Sequence, residues 1–200
     1  MLQIKHLSGE AIRDYIPDLA TLRITVFRDF PYLYDGTREY EEHYLETYLK
    51  SSESIVVLAL DGDKTIGAST GLPMADETSE FQAPFIAQGL NPADFFYCAE
   101  SVLLPEYRGR GVYKAFFEGR EAHARRLGRF SHCTFCCVQR PTDHPLRPQG
   151  YAPLDAVWTR FGYHPQPGLT TGYAWKDIDM NEETIKPMNF WIKALKDSHD

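Results

Sequence analysis

Tyr107–Phe117 reads YRGRGVYKAFF. Two glycines and two arginines occupy four consecutive positions, and an apolar run with helical spacing follows at once. The segment before it, DFFYCAESVLLPEY, is predicted as one long apolar strand. A strand that hands over to a helix through such a loop makes an anion site for definable reasons. The first backbone N–H groups of a helix lack an internal partner, and the helix dipole puts partial positive charge there. Glycine lets the main chain curl around a ligand. Arg108 and Arg110 add full charges, and a diphosphate is the natural guest. Neither common nucleotide pattern is present. There is no Gly-x4-Gly-Lys-Ser/Thr run, and Lys114 stands where Gly-x-Gly-x-x-Gly needs its third glycine.

Outward from this junction the elements alternate in a mixed α/β order. LQIKHL is a short first strand, and IPDLATLRITVFRDF carries Leu19, Leu22, Val26 and Phe27 near the helical period. FPYLYDG is an aromatic loop bounded by Pro and Gly. TREYEEHYLETYLK opens on a Thr cap and stacks Tyr40, Tyr44 and Tyr48 along one helix face. SIVVLALD and KTIGASTGL form a hairpin across DGDK. Residues 73–94 read as a loop with one short helix, an insertion over the site. After the junction a helix runs to about Gly128, with Val112, Ala115, Phe116, Gly119 and Ala122 on its apolar face. SHCTFCCVQ is a strand, RPTDHPLRPQGYAP a proline-rich loop, and LDAVWTRFG a short helix closed by Gly162. LTTGYAWKDI and KPMNFWIKAL supply the last strands.

Totals narrow the class. The chain has 200 residues, enough for one domain with a sizeable core, and 43% of them are hydrophobic. With 21 basic and 28 acidic residues the net charge is -7, which argues against a general nucleic-acid binder. No apolar run is long enough to span a membrane, and the N-terminus lacks the pattern of a signal peptide. Cys98, Cys133, Cys136 and Cys137 include one Cys-x-x-Cys spacing, but it lies on an apolar strand, where residues three apart face opposite sides. Buried free thiols, no metal and a reducing cytoplasm are the expectation.

Three stretches together resemble the GCN5-related N-acetyltransferase (GNAT) superfamily, from about Leu19 onward. ESVLLPEYRGRGVYKAFFEGREAHARRLG is similar to the family's acetyl-CoA motif, with its Arg/Gln-x-x-Gly-x-Gly/Ala core. VWTRFGYHP is similar to a later helix that ends in an aromatic-Gly-aromatic step, and VVLALDGDKTIGAST to the hairpin before the cofactor strand. Arg108 and Gly111 match the first two core positions, while Tyr113 stands where the family has Gly or Ala. The resemblance implies an α/β (α+β) fold with a mixed, mostly antiparallel central sheet, flanked by helices and splayed at the acetyl-CoA strand. It implies a single domain over residues 1–200, with acetyl-CoA as co-substrate. Main-chain groups of Val102, Leu103 and Leu104 would meet the pantetheine arm, and Arg108, Gly109, Arg110, Gly111, Val112 and Tyr113 the diphosphate. An amide near Leu103 would polarise the thioester carbonyl.

Amine acetylation needs a neutral amine, a polarised thioester and an outlet for the thiolate. Glu100 interrupts an apolar strand and is the candidate base; a structural ion pair, for instance with Arg28 or Arg140, is the alternative. The family's tyrosine acid falls on Trp158, which cannot donate a proton at this pH, so Tyr151 and Tyr163 are the candidate substitutes. A CoA thiolate that leaves without help remains open. Arg28, Tyr32 and Tyr34 belong to the loop where the family shapes its acceptor pocket. Asp143, His144 and Arg147 lie on the proline-rich loop. The expected function is transfer of acetyl to a primary amine of a small polar acceptor, with a CoA-binding module that has lost catalysis as the second reading. No nucleic acid or membrane partner is implied, and a homodimer is left open.

Overall fold

The computed structural model describes residues 1–195. In chain order the elements are β1 (Leu2–Leu7), α1 (Ile16–Phe27), α2 (Arg38–Lys50), β2 (Ile55–Asp61), β3 (Lys64–Pro73), α3 (Ser79–Ala87), β4 (Phe95–Tyr97), β5 (Ser101–Leu103), α4 (Val112–Leu127), β6 (His132–Val138), α5 (Asp155–Arg160), β7 (His164–Lys176) and β8 (Glu183–Ala194). The sheet runs β1-β2-β3-β4-β6-β8-β7, with β5 also on β3. Every pairing is antiparallel except β4 with β6. This is the mostly antiparallel sheet flanked by helices that the sequence implies. No described helix is long and apolar enough to cross a membrane.

The centre of the sheet is buried on both faces, which is why IVVLALD is almost continuously apolar. Alternate residues of β2 serve two cores. Val56, Leu58 and Leu60 pack under α1 and α2, beside Leu19, Leu22 and Leu45. Ile55, Val57 and Ala59 pack under α4, beside Phe116 and Ala124. Gly119 lets α4 lie close on the sheet, since a Cβ there would come within 2.8 Å of the Val57 side chain. Thr37 caps α2 by accepting the Tyr40 N–H.

Two expectations change. The segment 95–104 is not one strand: three residues, Cys98 to Glu100, separate β4 from β5. On α4, Ala115 and Ala122 are only partly covered, and Phe117, Arg120, Glu121 and Ala124 are buried instead. The reason is a second neighbour. Phe117 stacks on Phe161 beyond α5, with ring centroids 4.6 Å apart, so the covered face of α4 widens toward that helix.

Candidate active site

The break between β4 and β5 is a β-bulge. The Ala99 N–H donates to the Thr70 carbonyl at 3.1 Å, and the Thr70 N–H donates to the Glu100 carbonyl at 3.0 Å, so two residues of one strand oppose a single partner. The Cys98 N–H makes the last bond to β6, at Thr134. Beyond it β5 pairs with β3 alone, and β6 continues to Val138 against β8. The two strands therefore diverge. Leu104 donates to Ile66 and Glu100 accepts from Thr70, which commits the even-numbered residues of β5 to β3. By the alternation of an antiparallel ladder, the backbone groups of Ser101 and Leu103 face the gap. A cleft of about 230 Å³ fills it, bounded by Ser101, Phe135 and Val138 on the strands and by Tyr113, Arg120 and Trp158 on the helices.

At the head of α4, Gly111 has φ +81°, a left-handed conformation that glycine adopts without strain. Among the described residues, the N–H groups of Gly109 through Lys114 have no hydrogen-bond acceptor, and the first intrahelical bond is Ala115 to Gly111. Among the described residues neither Arg108 nor Arg110 has a carboxylate partner, and both are exposed. A Cβ at Gly109 or Gly111 would meet nothing within 4 Å. Free amides, two unneutralised cations and open space are what a diphosphate requires, so the residues present fit one. Tyr113 leaves this cradle clear. Its ring turns inward onto Phe117, at 5.2 Å, and its hydroxyl accepts the Trp158 indole N–H at 3.0 Å. The two departures from the family motif are thus bonded to each other.

A second cavity, about 250 Å³, lies under α1 and α2. It shares Phe27, Tyr32, Ala99, Glu100 and Cys136 with the cleft, so the two meet at the bulge. Glu100 is 8% exposed. Its Oε2 accepts the Tyr48 hydroxyl at 3.1 Å, and Tyr48 in turn accepts from Thr70 at 2.9 Å. Its Oε1 lies 2.6 Å from an Arg23 nitrogen, an ion pair without an aligned hydrogen bond. Arg23 also pairs with the fully buried Glu41. One cation thus sits between two carboxylates. The partner of Glu100 is neither Arg28 nor Arg140: Arg28 pairs with Asp35, and Arg140 with Asp177.

The other expected residues scatter. Tyr32 and Tyr34 line the aromatic cavity, whereas Arg28 points to its rim at Asp35. Tyr151 lines the outer end of the cleft, against Phe30 and Arg147. Tyr163 lines neither space. It is 0% exposed, its hydroxyl meets Cys98 Sγ at 4.0 Å, and burial pushes its pKa well up. All four cysteines are buried and free. Burial raises the Cys137 thiol to about 11. His144 accepts the Leu146 N–H within its own loop.

Sequence reading passed over Arg23, Glu41, Tyr173 and Trp175 and took Tyr44 only as part of a packed helix face, although all but Glu41 line the aromatic cavity. Arg23 was readable: it lies four residues after Leu19 and four before Phe27, on the buried stripe of α1.

No protein-family model matches the chain, and no curated protein matches its sequence. Solved structures do. An acetyltransferase of the GNAT family from Streptococcus pneumoniae shares 13% identity over 97% of this chain and 99% of its own, with TM-score 0.59. The ribosomal-protein-alanine N-acetyltransferase of Brucella melitensis shares 13% over 96% and 99%, with TM-score 0.63. Arabidopsis thaliana NAA60, in complex with acetyl-CoA, shares 10% over 98% and 99%, with TM-score 0.63. At these identities the likeness is one of fold, and it extends over nearly the whole of each chain. The fold of this chain is therefore the one seen in solved acetyltransferases of the GNAT family.

Proposed function

We propose that the chain is an acetyl-CoA-dependent N-acetyltransferase that moves acetyl directly to a primary amine in a ternary complex. One observation carries the reading. The splayed cleft and the aromatic cavity share Ala99 and Glu100 in their linings, which brings a donor in one and an acceptor in the other to the two sides of the bulge. Acetyl-CoA supplies an activated thioester. The amides at the head of α4, with Arg108 and Arg110, hold its diphosphate. Of the three residues expected to meet the arm, Val102 and Leu104 turn their main-chain groups to β3, and the Leu103 N–H, turned toward the gap, receives the thioester oxygen. Glu100 borders both spaces and takes the proton that the amine loses.

The acceptor's body is flat and apolar. Four of the cavity's aromatic side chains have spent their polar tips: Tyr40 bonds Tyr173 at 3.1 Å, Tyr97 bonds Cys136 at 3.1 Å, and the Trp175 indole donates to the Tyr32 carbonyl at 2.9 Å. The Tyr32 and Tyr44 hydroxyls make no hydrogen bond among the described residues. Of the lining cations, Arg23 serves two carboxylates and Lys176 pairs with Asp35 at 2.6 Å. A carboxylate on the acceptor would find neither of them free. Meanwhile Glu41 and Glu100 against Arg23 leave one formal negative charge near the floor, which favours an ammonium. This departs from the polar acceptor that the loops imply, because the aromatic walls come from segments far apart in sequence.

The test is thiol release from acetyl-CoA with a panel of amines. Arylalkylamines are expected to turn over better than α-amino acids. Glu100→Gln should lower kcat by about 10²–10⁴ while CoA still binds. A panel that gives no thiol, with CoA binding intact, would favour the second reading, a CoA-binding module without catalysis.

A further inference from the structure

Arg120 is 2% exposed and sits on the buried stripe of α4, between Phe116 and Ala124. Among the described residues no carboxylate pairs with it. Its neighbour Glu121 serves Lys193 and Arg125, and the Glu100 carboxylate turns away to Arg23. Its Nη1 donates to the Glu100 carbonyl at 3.0 Å and to the Thr70 carbonyl at 3.4 Å, which staples the bulge. Its Nε is buried and unbonded. Its Nη2 makes no hydrogen bond among the described residues, and the side chain lines the cleft. A full positive charge therefore borders the cleft beside the bulge, with no carboxylate among the described residues to answer it. Holding a guanidinium there is costly unless an anion visits.

The transfer reaction generates such an anion. The amine nitrogen bonds to the thioester carbon, the carbon–sulfur bond breaks, and its electron pair stays on sulfur as the CoA thiolate. The proton leaves nitrogen for Glu100. Two of the proton donors near the bulge are committed, whereas the Tyr113 and Tyr151 hydroxyls, which line the cleft, donate to nothing among the described residues. The Trp158 indole N–H goes to Tyr113, and Tyr163 is sealed against Cys98. We propose that Arg120 stabilises the departing CoA thiolate as a fixed cation, in place of a side chain that protonates it. The proposal rests on the acetyltransferase reading.

The groups that face Arg120 are Cys98 and the Glu100 main chain on the bulge, Cys133 on β6, Tyr163 before β7, and Tyr113 and Glu121 on its own helix. The Cys98 thiol is held below its ordinary value, first by its hydrogen bond with Cys133 and then by the Arg120 charge, against the effect of burial. A nearby thiol thus already feels the field proposed to act on CoA.

The deciding experiment titrates the thiol of CoA bound to the protein. It follows thiolate absorbance, with a CoA analogue that lacks the sulfur as the blank. In the wild-type protein the bound thiol should ionise about one pH unit or more below free CoA. Arg120→Lys should keep most of that shift, and Arg120→Met should abolish it. In turnover, Arg120→Met should lose about 10²-fold or more in kcat with the KM for acetyl-CoA little changed, as expected of a contact made only as charge develops. A bound thiol that titrates like free CoA in the wild-type protein overturns the proposal and leaves the acetyltransferase reading standing. An unchanged titration in Arg120→Met does the same. If Arg120→Met does not fold, the wild-type titration decides alone. Failure of CoA to bind the wild-type protein overturns both.

Discussion

Glu77, 8% exposed at the start of the α3 segment, shows what a single buried carboxyl does to this chain. Burial raises its pKa to about 7, although the Thr78 N–H pulls the other way. In the unfolded chain it ionises near 4.5. Below that value the group is protonated in both states. As pH rises toward 7 the unfolded chain ionises while the fold holds the proton, so stability falls by about 3 kcal/mol across that window. Urea unfolding at pH 5 and pH 8 should show the loss, and Glu77→Gln should remove most of it. The same scale holds the clearest lesson about legibility. Arg23, Glu41 and Arg120 each interrupt the apolar stripe of a helix, at positions four residues from a buried neighbour. A charge there is costly unless it is partnered or used. Glu100 was readable by this rule because it breaks a strand. The helical charges were not read, since a 3.6-residue period hides one polar residue more easily than strict alternation does.

Among the elements, the loop from Phe30 to Gly36 depends most on one side chain. Arg140 donates to the carbonyls of Pro31 and Tyr32, each at 2.7 Å, and grips Asp177 at 2.7 and 2.9 Å. Lys186 joins the same carboxylate at 3.2 Å. Burial works to raise the Asp177 pKa, and these two cations overcome it, so the group stays ionised through neutral pH. Arg140→Met should therefore cost about 3 kcal/mol in chemical unfolding. It should also raise the acceptor KM more than the acetyl-CoA KM, because Tyr32 and Tyr34 on this loop line only the acceptor side or its junction. Elements with strong local signals were legible: the hairpin through Asp61 and Gly62, the Thr37 cap, and α4 between Gly111 and Gly128. The bulge was not. Its cause is long-range, a partner strand at Thr70 and a guanidinium from α4, and neither leaves a mark in the ten residues around it.

For the whole molecule, the mixed α/β class followed from the alternation of elements and the mostly antiparallel sheet from the family resemblance, but the aromatic cavity followed from neither. Its walls come from α1, α2, α3, β4 and β7, and only tertiary packing gathers them. Ligand binding should register on the global transition. CoA at about a hundredfold excess over its Kd adds about 2.7 kcal/mol. In a chain of this size that raises Tm by about 5–10 °C. The shift should shrink when Arg108 and Arg110 are both replaced by Ala, and should weaken with salt. Beyond the bulge the sheet has an edge inside the protein rather than at its rim. There β5 offers backbone groups that no neighbouring strand claims. An unclaimed amide trades its proton with solvent freely, while one already bonded across the ladder does not. Deuterium uptake at Leu103 should therefore slow sharply when CoA is added, and uptake at Val102, its neighbour on β3's side, should barely change. The cofactor's arm would then serve this protein as a missing strand.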